Sequence, residues 1–77
     1  MTYKETRNLN QECVGFSGQI KALSGDIIVV ERLYELGLLP GENIRLCAKM
    51  IFGAPLIVEF GSITIALRNE EAECIEI

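Results

Sequence analysis

Histidine and tryptophan are absent from this 77-residue chain, and aromatic residues make up only 6% of it. Without histidine there is no Ser-His-Asp or Cys-His relay to activate a nucleophile. Asp26 is the only aspartate, and paired carboxylates occur only near the C-terminus. A catalytic carboxylate also needs a pocket that shifts its pKa. The chain therefore offers little material for an enzyme. CxxC, GxGxxG and GxxxxGK[ST] are missing too, so neither a thiol-pair site nor a nucleotide cradle is indicated. The three cysteines, Cys13, Cys47 and Cys74, are odd in number and far apart. That is not a disulfide framework, and it suits a reducing, cytosolic compartment. Long apolar runs are missing as well. The nine residues from Met50 to Val58 carry no charge, whereas a spanning helix needs about 20 mostly apolar residues. Met1 to Asn10 lacks the apolar run of a signal peptide.

What the chain does contain is globular. Hydrophobic residues reach 49% and charged residues 23%, too apolar for a disordered chain. This length supports one domain that buries roughly 60% of its unfolded surface. With so few rings, the core must be aliphatic. The net charge of -4 comes from 11 acids and 7 bases. Glu70, Glu71, Glu73 and Glu76 account for the surplus, leaving a near-neutral body with an acidic edge. That balance speaks against nucleic-acid binding, which rests on neutralising phosphates. Arg45, Lys49 and Arg68 could share an outer basic patch, but it has no aromatic partners, and Arg45 and Arg68 can as easily pair with Glu59 and the acidic edge.

Residues 1–12 are polar and without sustained period, and read as an N-terminal arm or short helix. The domain proper is expected over 13–77. Val14, Phe16, Gly18, Ile20 and Ala22 alternate with polar residues, as in a half-buried strand. Asp26 is placed to cap a helix over about 26–36, in which Val29, Leu33 and Leu36 share a face. Its opening run Ile27-Ile28-Val29-Val30 is β-branched, so packing must hold that end. Gly37 and Pro40 stop the helix. Ile44, Leu46, Ala48 and Met50 alternate in the next strand. Leu56 to Phe60 and Ile63 to Leu67 follow, separated by Gly61-Ser62. Arg68 to Ala72 is a connector of about one helical turn, and Ile75 and Ile77 mark a last strand. The expectation is a mainly β fold: a small SH3-like barrel of about five antiparallel strands, with one helix between strands 1 and 2.

Two sets of residues could carry function. Glu70, Glu71, Glu73, Cys47 and Cys74 are weak candidates for holding a divalent metal ion; the spacing does not predict their convergence. A weakly bound ion is the one cofactor such an edge would take. The apolar connections form the second set. Tyr34, Leu38, Leu39 and Pro40 lie at the helix end, and Phe52, Gly53, Ala54 and Pro55 in the uncharged hairpin. Such segments either cover the core or meet a partner, another copy of the chain included.

The run Arg32-Leu33-Tyr34-Glu35-Leu36-Gly37-Leu38-Leu39-Pro40-Gly41-Glu42 resembles the RLxELGLxPGE signature of the FeoA family, the small cytosolic component of bacterial ferrous iron transport. Gly53, Pro55 and Val58 match its GxPxxV pattern. Ala66-Leu67-Arg68 and Glu71-Ala72 match its later blocks. The hairpin departs from the Pro-Leu-Gly-Asp-Pro of many members by lacking the first proline and the aspartate. The resemblance implies an SH3-like domain, similar also to the C-terminal module of metal-dependent repressors. It implies a non-enzymatic accessory that docks on the cytosolic region of a ferrous iron permease with a GTPase domain. It places the protein in the cytoplasm, at the inner face of the membrane when docked. The alternatives are a divalent-metal sensor module and a barrel whose partner is unrelated to iron.

Overall fold

A computed structural model describes residues 7–49 and 55–77. Its elements are a 3₁₀ turn (Leu9–Gln11), β1 (Ser17–Gln19), β2 (Ala22–Leu23), α1 (Ile27–Leu36), β3 (Asn43–Lys49), β4 (Leu56–Phe60), β5 (Ile63–Leu67), α2 (Asn69–Glu73) and β6 (Ile75–Glu76). The strands form an antiparallel four-stranded sheet in the order β1-β3-β4-β5 and a two-stranded sheet of β2 and β6.

The expected first strand is split between these sheets. Ile20 leaves the ladder and exchanges backbone bonds with the turn after α1: its N–H donates to Glu42 O at 2.9 Å, and its C=O accepts from Gly41 N–H at 2.8 Å. Lys21 N–H then donates to Glu76 O at 2.7 Å. The first of the about five expected strands is therefore two short ones, which makes six strands among the described residues. Ile20 is buried at the crossing while Val14, expected on the same inner row, is 55% exposed.

α1 starts on Asp26, whose Oδ1 accepts from the backbone N–H of Ile28 (2.9 Å) and Val29 (3.4 Å). Such a cap supplies about 1 kcal/mol. The β-branched opening is not held by packing of Ile27 and Ile28, which are 67% and 75% exposed. The second half of the opening does pack: Val30 is buried with Leu33, and Val29 lies against the core. Gly37 ends the helix at φ 94°, a conformation cheap only for glycine.

β3 alternates as expected through Leu46 and then slips. Leu46 pairs with Val58 and Ala48 with Ile57, so Cys47 is a bulge. One extra residue reverses the alternation beyond it. The ammonium of Lys49 then donates to the carbonyls of Asn10 (2.6 Å) and Glu12 (3.1 Å). Arg45 faces Glu59 across the ladder at 3.3 Å, which removes two members of the conceivable basic patch.

The core is largely aliphatic: Leu9, Ile20, Leu33, Leu38, Ile44, Leu46, Leu56, Val58, Leu67 and Ile75 are closed off from solvent, and Phe60 is buried with them. Each such side chain contributes about 1.5–3 kcal/mol by burial. Leu9 comes from the segment read as an N-terminal arm or short helix, and lies in its 3₁₀ turn. Its neighbours pin it there: Asn8 bridges to Glu76, and Ile77 N–H donates to Arg7 O at 2.9 Å. The packed body therefore starts before residue 13.

Candidate protein-interaction site

The end of α1 sorts adjacent leucines. Leu38 N–H donates to Leu33 O at 3.0 Å, and Gly37 N–H to Tyr34 O at 3.0 Å. This is the hydrogen-bond pattern in which the residue after a helix-ending glycine folds back onto the last turn. Leu38 is accordingly 0% exposed. It was expected on the contact surface; instead it completes the core. Leu39, next in sequence, is 40% exposed.

Leu39 opens a β-turn with Pro40, Gly41 and Glu42. Glu42 N–H donates to Leu39 O at 3.0 Å, and Gly41 has φ 95°. Proline then glycine in the central positions is the type II pattern. Together with the two bonds to Ile20, three backbone hydrogen bonds hold this turn. Pro40 is exposed and Tyr34 is 47% exposed. Ile27 lies seven residues before Tyr34 and so shares its flank of α1. The structure thus displays Tyr34, Leu39 and Pro40 near the end of α1, on a frame that needs little further ordering.

The other predicted contacts do not join this group. Pro55 is exposed and lines a shallow cleft with Arg32, Ala66, Arg68, Glu70 and Glu71. Phe52, Gly53 and Ala54 lie outside the described residues. The sequence reading missed the exposure of Ile27 and Ile28, because it assigned the start of α1 to packing. The signal was available: position 28 falls opposite the row made by Val30 and Leu33 on a 3.6-residue repeat.

Local structure sets Glu71 and Cys47 apart from the other metal candidates. Glu71 is not a solvated acid, being 7% exposed. Its Oε1 accepts from Arg68 N–H at 2.8 Å, capping α2, and its Oε2 faces Arg32 Nε at 3.5 Å. Cys47 sits half-buried on the β3 bulge. Glu70, Glu73 and Cys74 line a second shallow pocket beside Asp26. Burial, chiefly, pushes the Cys74 thiol above its ordinary value, with Glu73, Asp26 and Glu71 adding to the rise and a backbone bond from Asp26 opposing it. The group that would have to ligate as thiolate thus favours its proton. Among the described residues no group of three or more potential ligands gathers.

Residues 7–77 match the family of FeoA domains. The chain belongs to the FeoA family. No curated protein matches it by sequence. Among solved structures, Stenotrophomonas maltophilia FeoA complexed with zinc is 30% identical, with a TM-score of 0.76 over 90% of this chain and 86% of that one. That protein is described as a prokaryotic SH3 domain protein, suggested to act as a ferrous iron transport activating factor. A FeoA-like protein from Clostridium acetobutylicum shares the fold at 19% identity, TM-score 0.84, covering 96% of this chain and 86% of that one. A manganese-dependent transcriptional repressor does so at 21% identity and TM-score 0.86, covering 99% of this chain but 42% of the repressor. The SH3-like fold and the family are therefore as the sequence implied. Among the described residues no helix is long and apolar enough to cross a membrane.

Proposed function

We propose that this FeoA-family protein is a non-enzymatic accessory of ferrous iron uptake, which docks on the cytosolic region of the iron permease. Tyr34, Leu39 and Pro40 supply the contact. The observation that carries this reading is the sorting of Leu38 from Leu39: one leucine locks the helix end, and the next stands exposed on a turn held by three backbone hydrogen bonds. A small apolar contact on a preordered frame loses little entropy on binding. Tyrosine is among the side chains that dominate such interfaces, and apolar neighbours such as Leu39 exclude water around it. The family supports the iron context, and the lack of histidine supports a role without catalysis.

The test is binding of the full chain to the purified cytosolic region of the permease, including its GTPase domain. Tyr34→Ser and Leu39→Ser each lie on exposed positions and should leave the circular dichroism spectrum intact. Loss of an interface anchor should weaken binding roughly 30-fold, the equivalent of about 2 kcal/mol. Unchanged affinity in the double variant would remove this surface from the reading. No measurable binding by the folded wild-type chain would remove docking itself.

A further inference from the structure

β5 is the edge of the four-stranded sheet. Among the described residues its backbone bonds only to β4. The two-residue turn Gly61-Ser62 joins Phe60 to Ile63, which makes that the first hydrogen-bonded pair of the hairpin. Bonded and non-bonded pairs alternate along an antiparallel ladder. The N–H and C=O groups of Thr64 and Ala66 therefore point off the open edge.

Sheet edges are ordinarily guarded by charge, proline, a bulge or a covering element. Ile63-Thr64-Ile65-Ala66-Leu67 contains no charged residue and no proline. Its ladder with β4 runs in unbroken register, and Thr64 and Ala66 are exposed. The inner row is also unfinished. Leu67 is 1% exposed and Ile65 half-buried, but Ile63 is 48% exposed.

We propose that β5 pairs antiparallel with β5 of a second copy, centred on Ile65, and joins two four-stranded sheets into one. In that register Thr64 of each copy opposes Ala66 of the other. The two bonded pairs supply four backbone hydrogen bonds, one from every outward N–H. Ile65 meets its own equivalent as the close, non-bonded pair, and Ile63 meets Leu67 on the inner face. A second copy is the occupant because the edge is complementary to itself under this two-fold rotation. Its charge also permits the approach. The whole segment Phe60 to Leu67 is uncharged in a chain of net charge -4. Arg68 falls opposite Ser62 of the other copy, so no like charges meet across the ladder. The shallow cleft bounded by Arg32, Pro55, Ala66 and Arg68 reaches this edge and leaves room beside it. The pairing uses a surface separate from Tyr34, Leu39 and Pro40, and stands or falls independently of permease docking.

The experiment is sedimentation velocity of the full chain from micromolar to millimolar concentration, with amide exchange followed by NMR across the same series. A monomer–dimer equilibrium is expected, with the Thr64 and Ala66 amides protected in proportion to the dimer. Thr64→Lys places an ammonium on the exposed side of the edge and should raise the dimer dissociation constant at least about tenfold. Ala66→Pro removes one outward N–H and should act the same way; Thr64→Lys keeps the test valid if the proline variant does not fold. A chain that stays monomeric throughout overturns the proposal. So does a Thr64→Lys variant that dimerises like the wild type. Protection of both amides in dilute monomer would show another segment of the same chain on the edge. Protection only on adding the permease region would assign the edge to a foreign strand. Either result excludes self-pairing.

Discussion

Replacing Leu38 and Leu39 separately by alanine tests how the helix end divides its work. Leu38 is closed off from solvent and bonded through its N–H to Leu33. Removing its side chain costs the transfer term and leaves a cavity, together about 2–5 kcal/mol. A domain of 77 residues holds in total only about 4–12 kcal/mol, at 0.05–0.15 kcal/mol per residue. Leu38→Ala should therefore take between about a sixth and all of the stability. At about 4–8 °C per kcal/mol for a domain of this size, a loss of ~3 kcal/mol lowers the melting temperature by about 12–24 °C. Leu39 is 40% exposed, and its replacement should change stability by no more than about 0.5 kcal/mol. Urea titrations followed by circular dichroism measure both, provided the slope with denaturant stays constant. Equal losses in the two variants, or a larger loss for Leu39→Ala, would refute the division. In the binding assay the order reverses: Leu39→Ala weakens docking while it remains fully folded.

Asp26→Ala should lose about 1 kcal/mol through the missing cap and Asp26→Asn much less, because asparagine also caps, as the same urea titrations would show. Gly25 has φ 116°, and a Cβ there would lie 3.0 Å from the Cys74 Sγ; Gly25→Ala should cost about 1–3 kcal/mol, and a loss no larger than that of an exposed loop alanine would contradict the strain. Cys13 is exposed and Cys74 buried with its thiol pushed up, so a thiol reagent at neutral pH should modify Cys13 first and Cys74 only as the chain opens. Because the unfolded chain releases the Cys74 proton near the ordinary value of 9.0 and the folded chain holds it longer, stability should fall as pH rises past 9 and level off above the folded value. Deleting 75–77 removes buried Ile75 and the strand that β2 and Asn8 both pair with; the product should be largely unfolded by NMR.

The sequence disclosed the elements whose side chains decide them locally. Asp26 and Gly37 fix the two ends of α1 by one carboxylate and one positive φ, and both signals are read within a few residues. The alternation of β4 and β5 on either side of Gly61-Ser62 likewise needs no distant information. What the sequence hid was set by contacts between distant segments. The break at Ile20 depends on the backbone of residues 41, 42 and 76. The bulge at Cys47 depends on how β4 pairs, and it moves Lys49 from the outer row to the carbonyls of Asn10 and Glu12. Leu9 looked solitary in a polar stretch, and only the return of β6 makes its site a core position. The candidate contact residues were half legible. A stretch of apolar residues beside a turn signals that some are displayed, but Leu38 and Leu39 are chemically identical, and only the fold-back at Gly37 tells them apart.

The open edge of β5 follows from the same split of the first strand. A small sheet can close on itself only if its last strand finds a partner with a free side. Here the segment before α1 is divided: three residues pair with β3 and two with β6. The three-residue β1 is spent on the far edge of the sheet, and β6 is taken by β2 on one side and by Asn8 on the other. Among the described residues nothing is left for Thr64 and Ala66. A chain this short can complete that ladder most directly by borrowing from its own copy. If it does, Thr64→Lys should raise the dimer dissociation constant at least about tenfold and leave permease binding at the wild-type level, while Leu39→Ser should weaken permease binding and leave the dimer unchanged. A single substitution that removed both would show that the two surfaces act as one, against their separate positions at the end of α1 and along β5.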